Sequence, residues 1–98
     1  MFLHVGGEEI VYIKDIVAIM DIERTTVSGI TREFLKVCEE EGFIKTVDEE
    51  ELPKSFIIAY KNDMQVVYLS PLSTATLYKR YMKTVPKRKI VTSETRKK

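Results

Sequence analysis

The residues whose types and spacing could do chemistry are basic and lie near the end of the chain: Lys79, Arg80, Lys83, Lys87, Arg88 and Lys89. Lys79, Arg80 and Lys83 fall within one helical turn of each other, and Tyr78 and Tyr81 interleave with them. Contact with a phosphate backbone requires little more than such a cluster, because Lys and Arg neutralise phosphates and release counterions whatever the base sequence. The plain alternative is a helix end whose cations suit the negative end of the helix dipole, followed by a solubilising tail. The residues themselves leave both readings open.

Other constellations point away from catalysis. His4 is the single histidine; in the alternating run Phe2-Leu3-His4-Val5 it belongs on the strand face opposite Leu3, and one histidine cannot form a cluster. Cys38 is the single cysteine, placed on an apolar helix face as a small hydrophobe; it excludes an intramolecular disulfide and a multi-cysteine zinc site. Gly6-Gly7 has neither the spacing nor the following helix and lysine of a phosphate loop. The acidic runs Glu39-Glu40-Glu41 and Asp48-Glu49-Glu50-Glu51 read as solvated charge, since consecutive helix residues point in different directions. No nucleophile and base pair up. An enzyme, a metal, a cofactor and a small-molecule substrate are therefore not expected.

The length suits one domain with a modest core, which oligomerisation would support. Composition, 44% hydrophobic and 32% charged, is that of a globular chain, and no apolar run approaches the roughly 18 residues of a membrane span. Met1 to Glu8 lacks the basic region and apolar core of a secretory signal, so the expected location is the cytoplasm, with no membrane partner. The net charge of +1 hides a division. Residues 1–52 carry five Lys and Arg against thirteen Asp and Glu, a net of −8, whereas residues 53–98 carry eleven against two, a net of +9. A basic half can attract nucleic acid, or opposed halves can steer one subunit onto another.

The elements that must position these residues are short. Phe2–Val5 and Glu8–Ile13 flank Gly6-Gly7 as a hairpin, and Ile16–Ile22 reads as a further strand or a continuation, apolar enough to be buried on both faces. Residues 25–42 form an amphipathic helix, the organising element, with Thr25 or Thr26 as N-cap and Gly42 as the left-handed terminus. Val27, Ile30, Phe34, Val37 and Cys38 form its face for burial, with Leu35 at the edge. Phe43–Val47 is a short strand, and Lys54–Tyr60 with Gln65–Ser70 a second hairpin. Ser73 or Thr74 caps a last helix through Thr84. The fold class is α+β: a small single domain over 1–84, with two hairpins and one or two further strands packed on a central helix, and a C-terminal helix. Residues 85–98 are expected to form a mobile basic tail.

Four runs carry a resemblance: Phe2-Leu3-His4-Val5-Gly6-Gly7; Thr25-Thr26-Val27-Ser28-Gly29-Ile30-Thr31-Arg32-Glu33-Phe34-Leu35-Lys36; Pro53-Lys54-Ser55-Phe56-Ile57; and Val67-Tyr68-Leu69-Ser70-Pro71-Leu72-Ser73, continuing to Thr76-Leu77-Tyr78-Lys79-Arg80. In order and spacing they resemble the Rem family of bacterial regulators, on its RemB side, over residues 1 to about 83. That resemblance implies a cytoplasmic, non-enzymatic regulator of extracellular matrix and biofilm genes in Gram-positive bacteria. It also implies a fold related to LytTR DNA-binding domains and a ring-shaped homo-oligomer that binds double-stranded DNA. The RemA branch presents an arginine-rich turn where this chain has Glu49-Glu50-Glu51-Leu52-Pro53-Lys54, and only Lys54 keeps the charge. The implied contacts therefore fall to Arg32, Lys54 and the cluster from Lys79 to Lys89. The competing reading is an oligomeric scaffold or protein-interaction module whose acidic and basic halves meet between subunits.

Overall fold

The computed structural model describes residues 1–25 and 29–84. In chain order it contains β1 (Phe2–Gly6), β2 (Glu9–Tyr12), a 3-10 turn (Ile13–Asp15), β3 (Ile16–Asp21), α1 (Ile22–Thr25), α2 (Gly29–Glu40), β4 (Ile44–Thr46), β5 (Ser55–Lys61), β6 (Met64–Ser70) and α3 (Thr74–Thr84). The α+β class and both hairpins are as expected from sequence, and the middle layer is a four-stranded sheet in the order β3-β5-β6-β4. β3 and β6 run antiparallel to β5, whereas β4 runs parallel to β6.

β5 and β6 supply the centre because their side chains are apolar on both sides. Phe56 and Ile58 pair with Leu69 and Val67, and Ile57 and Ala59 with Tyr68 and Val66. The alternation of a strand sends the first set to one face and the second to the other. Phe56 and Val67 pack with Cys38, Phe34 and Leu35 of α2, while Ile57, Ala59 and Tyr68 pack with Leu3, Val5 and Val11 of the first hairpin and Leu77 of α3. The result is three layers: hairpin and α3, sheet, α2. The β5–β6 turn places Asn62 and Asp63 in the left-handed region, at φ 53° and 64°, the pair of positive angles that a two-residue hairpin turn needs.

Several local expectations are corrected. Thr25 is the last residue of α1 and so is itself helical rather than a cap, α2 is described from Gly29, and Thr26 and Val27 lie outside the described residues. The face of α2 that packs is centred on Cys38, which is 2% exposed, with Phe34 and Leu35. Ile30 and Val37, expected to be buried, are 84% and 44% exposed. The helix is rotated toward its Leu35 edge because it meets the sheet chiefly through its last turns. Its end is as expected: Gly42, at φ 78°, lets its own N–H bond the Glu39 carbonyl at 3.1 Å and the Phe43 N–H bond the Cys38 carbonyl at 2.8 Å. This reciprocal pair satisfies two otherwise unpaired carbonyls, and Phe43 and Cys38 pack together beneath it.

Gly6 belongs to β1 rather than to the turn, which is Gly7-Glu8. The register shift between His4 and Gly6 accounts for the difference. At φ 124°, a Cβ on Gly6 would lie 3.1 Å from the Pro71 ring and 3.3 Å from Val47, so only glycine lets the hairpin tip close against them. β3 is not buried on both faces: it is an edge strand whose Val17 is exposed. Domain bounds at 84 and the tail 85–98, with Lys87, Arg88 and Lys89, fall at or beyond the limit of the described residues.

An ion pair ties the hairpin to the sheet. Lys45 Nζ lies 2.8 Å from Glu9 Oε1, beside Tyr68. Hydrogen bonding and attraction to Glu9 raise the Lys45 pKa; burial and then the Glu9 charge raise that of Tyr68. Both raised values favour the protonated form in the folded state, so their stabilisation is complete below the unfolded pKa values and is lost as pH rises through the folded ones. Urea midpoints should thus hold steady near neutrality and fall on the alkaline side. In Lys45→Met the midpoint at neutral pH should drop and the alkaline slope should lessen.

Candidate nucleic-acid interface

The aim of α3 is set by three serines. Ser55 opens β5 and Ser70 closes β6, paired in register and wholly buried. Ser70 Oγ donates to the Val5 carbonyl at 2.6 Å and accepts the Leu72 N–H at 3.1 Å, while Ser55 Oγ donates to the Leu72 carbonyl at 2.8 Å. These bonds hold the Pro71-Leu72 link to both the sheet and the first hairpin. Ser73 then caps α3, its Oγ accepting the Thr76 N–H at 3.1 Å. Leu77, fully buried, anchors the helix.

With Leu77 inward, the 100° step of a helix turns Lys79 and Lys83 outward and leaves Arg80 on the flank, and all three are exposed. The structure therefore brings these three together. α3 contains no acidic residue, and among the described residues no carboxylate forms an ion pair with the three cations. Arg80 Nη1 donates to the His4 carbonyl at 3.3 Å, a neutral acceptor that leaves the positive charge uncompensated. Tyr78 stacks on Tyr81, with ring centroids 6.2 Å apart.

Lys54 is exposed immediately before β5, its backbone fixed by bonds to Ser70 and Ile22. It follows the acidic turn, where Asp48 Oδ1 accepts the Glu50 N–H at 3.0 Å. Arg32 lies on α2, across the sheet from α3, beside a shallow hollow of about 390 Å³ lined also by Leu35, Lys36 and Glu39. Lys87, Arg88 and Lys89 lie outside the described residues.

The remaining reactive side chains take structural places. His4 is exposed on the strand face opposite buried Leu3. Burial pushes the Cys38 thiol upward, and Gln65 Nε2 sits 3.5 Å from its sulfur. Among the described residues no group of three His, Cys, Asp or Glu could hold a metal ion, and no helix is long and apolar enough to cross a membrane. Sequence reasoning missed Ser55 and Ser70 as positioning residues. Their signal was a serine at each end of two strongly apolar strands.

Two comparisons bear on identity. The sequence model of a family described as RemA-like, extracellular matrix regulatory protein A-like, matches residues 2–81. The chain is 36% identical over 80 residues to extracellular matrix regulatory protein B of Bacillus subtilis (strain 168), a match covering 82% of this chain and 89% of that protein. Both names are those of regulatory proteins rather than of catalysts.

The serine clamp generates a direct expectation. Ser70→Ala removes a donor to the buried Val5 carbonyl and an acceptor for the Leu72 N–H, at a cost of about 1–3 kcal/mol. Thermal denaturation should show the loss, and amide exchange should accelerate in α3 before it does in the β5–β6 pair.

Proposed function

Since this chain belongs to the RemA-like family, we propose that it is a cytoplasmic regulator of extracellular matrix and biofilm genes that binds double-stranded DNA as a homo-oligomer. The observation that carries this reading is the acid-free outward face of α3, with Lys79, Arg80 and Lys83 exposed on a rigidly seated helix. Cations on such a helix meet phosphates rather than base edges, so the contacts position the protein and give little sequence readout by themselves. Copies arranged in a closed assembly repeat this weak face, and DNA engaging several of them gains affinity by multivalency, with its deformability supplying selectivity. Lys54, before β5, and Lys87, Arg88 and Lys89, outside the described residues, are the further cations of this reading. Arg32, on the opposite layer, contributes only where DNA meets a neighbouring copy.

The division into a −8 half and a +9 half favours a second reading, a scaffold or interaction module held by acidic-to-basic contacts between subunits. Duplex DNA titrated at two salt concentrations, with light scattering on the same samples, separates the two. Under the first reading log K falls with log salt at about −0.9 per phosphate neutralised. The triple change Lys79→Glu, Arg80→Glu, Lys83→Glu should then weaken binding at least tenfold at unchanged mass. Loss of mass on that change supports the scaffold, and an oligomer that ignores DNA at low salt ends the DNA reading.

A further inference from the structure

We propose that the outer face of the first hairpin, with the flank of α3 beside it, binds single-stranded DNA, its rings stacking on bases and the α3 cations holding phosphates. β1 and β2 pair Phe2 with Tyr12, Leu3 with Val11 and His4 with Ile10. Leu3 and Val11 are buried, so the alternation of a strand turns Phe2, His4, Ile10 and Tyr12 to the opposite side. Phe2 is 45% and Tyr12 52% exposed, and His4 and Ile10 are exposed beside them. The Phe2 ring meets Tyr12 edge to face with centroids 5.8 Å apart, and meets His4 in the same way at 6.5 Å. The rings are gathered without being stacked on one another, which leaves ring faces open to a further ring.

Cations border this face. Arg80 Nη1 donates to the His4 carbonyl, which places its guanidinium at the edge of β1. A Cβ on Gly6 would touch Pro71, just before α3, so α3 runs back along β1 from Gly6 past His4 toward Phe2. Lys83, in the next turn after Arg80, comes level with Phe2, since a helical turn rises about 5.4 Å and two strand residues span about 6–7 Å. No acid stands between: α3 has none, Glu8 lies in the turn at the far end of the hairpin, and Glu9 is paired with Lys45.

Three observations commit the face to a single strand of DNA. First, rings lie on one side and cations along its border, the two parts that single-strand binding requires. A single strand carries phosphates on one edge and bases on the other, whereas the base faces of a duplex are already stacked on each other and offer these rings nothing. Second, the patch is small. Phe2 and Tyr12 each expose about half of the roughly 150–250 Å² that an aromatic side chain can bury, well short of the roughly 800 Å² that each partner gives to a stable protein interface. Roughly two or three bases would cover it. Third, Arg80 and Lys83 belong to the basic face of the DNA reading above, so the strand is that of an opened duplex. The proposal rests on that reading for the identity of the strand, and adds the rings to it.

Anisotropy titrations of the full chain use labelled thymidylate, abasic and uridylate strands and a duplex, all of one length, and labelled polyglutamate. Phe2→Leu and Tyr12→Leu keep apolar bulk and lose the ring, with circular dichroism to check folding. The expected result is thymidylate bound at least tenfold tighter than the abasic strand. Both leucine variants should lose that preference while duplex affinity stays within twofold. Because the chain has no tryptophan, Tyr12→Trp supplies a single reporter, whose fluorescence the thymidylate should quench and the abasic strand should not. Equal binding of thymidylate and abasic strands overturns the proposal, as does an unquenched tryptophan, which decides the question where the leucine variants fail to fold. Uridylate bound tighter than thymidylate assigns the face to RNA, and polyglutamate bound only while the rings are present assigns it to an acidic protein; either overturns the proposal. A duplex bound while thymidylate is ignored overturns this proposal alone, whereas neither bound at low salt ends the DNA reading with it.

Discussion

The pairing of β5 with β6 is the constraint on which the rest of the molecule depends. Its register, from Lys61 opposite Met64 to Ser55 opposite Ser70, fixes which residues face each layer. A slip of one residue would exchange the faces, sending Phe56 toward the hairpin and Ile57 toward α2. The two-residue turn at Asn62-Asp63 prevents that slip, because side chains of this type tolerate the left-handed angles and a longer turn would admit other registers. Each outer layer reads this register: the first hairpin and α3 through Ile57 and Tyr68, α2 through Phe56 and Val67.

The same register sets the polar chemistry. Ser55 and Ser70 meet across the last pair of the ladder and together grip Leu72 and Val5, so the direction in which α3 leaves the sheet follows from strand pairing. The helix that carries the basic side chains of α3 is therefore aimed by the serine network, and Arg80 alone adds a contact of its own, to the His4 carbonyl. Charge can vary on such a helix without disturbing the frame, and the frame can be weakened without removing a single charge.

Hairpins, the capped C-terminal helix and the glycine end of α2 were legible because their signals are local: turn residues between alternating strands, a serine before an apolar run, a glycine after one. The burial of α2 was not. A stripe spaced by three and four residues establishes that a helix has an apolar side, yet Val27, Ile30, Phe34 and Val37 made one such side and Phe34, Leu35 and Cys38 another. Only the position of the sheet chooses between them. The edge role of β3 escaped for a related reason, since an apolar run marks a strand without saying how many neighbours it has. Of the basic residues, spacing alone joined Lys79, Arg80 and Lys83, because one helix carries them. Arg32 and Lys54 come from elements that the topology sets apart.

β4 runs parallel to β6, and β3 pairs with β5, so both outer strands of the sheet precede in sequence the two strands they flank. A ribosome delivers them first. Until β5 has left the exit tunnel β3 has no partner, and until β6 has followed β4 has none, so Ile16, Val17, Ile19 and Met20 emerge as an apolar run without a sheet to join. The four-stranded sheet of this protein consequently cannot close until its last strand, β6, is available, and its outer strands wait exposed for that pairing.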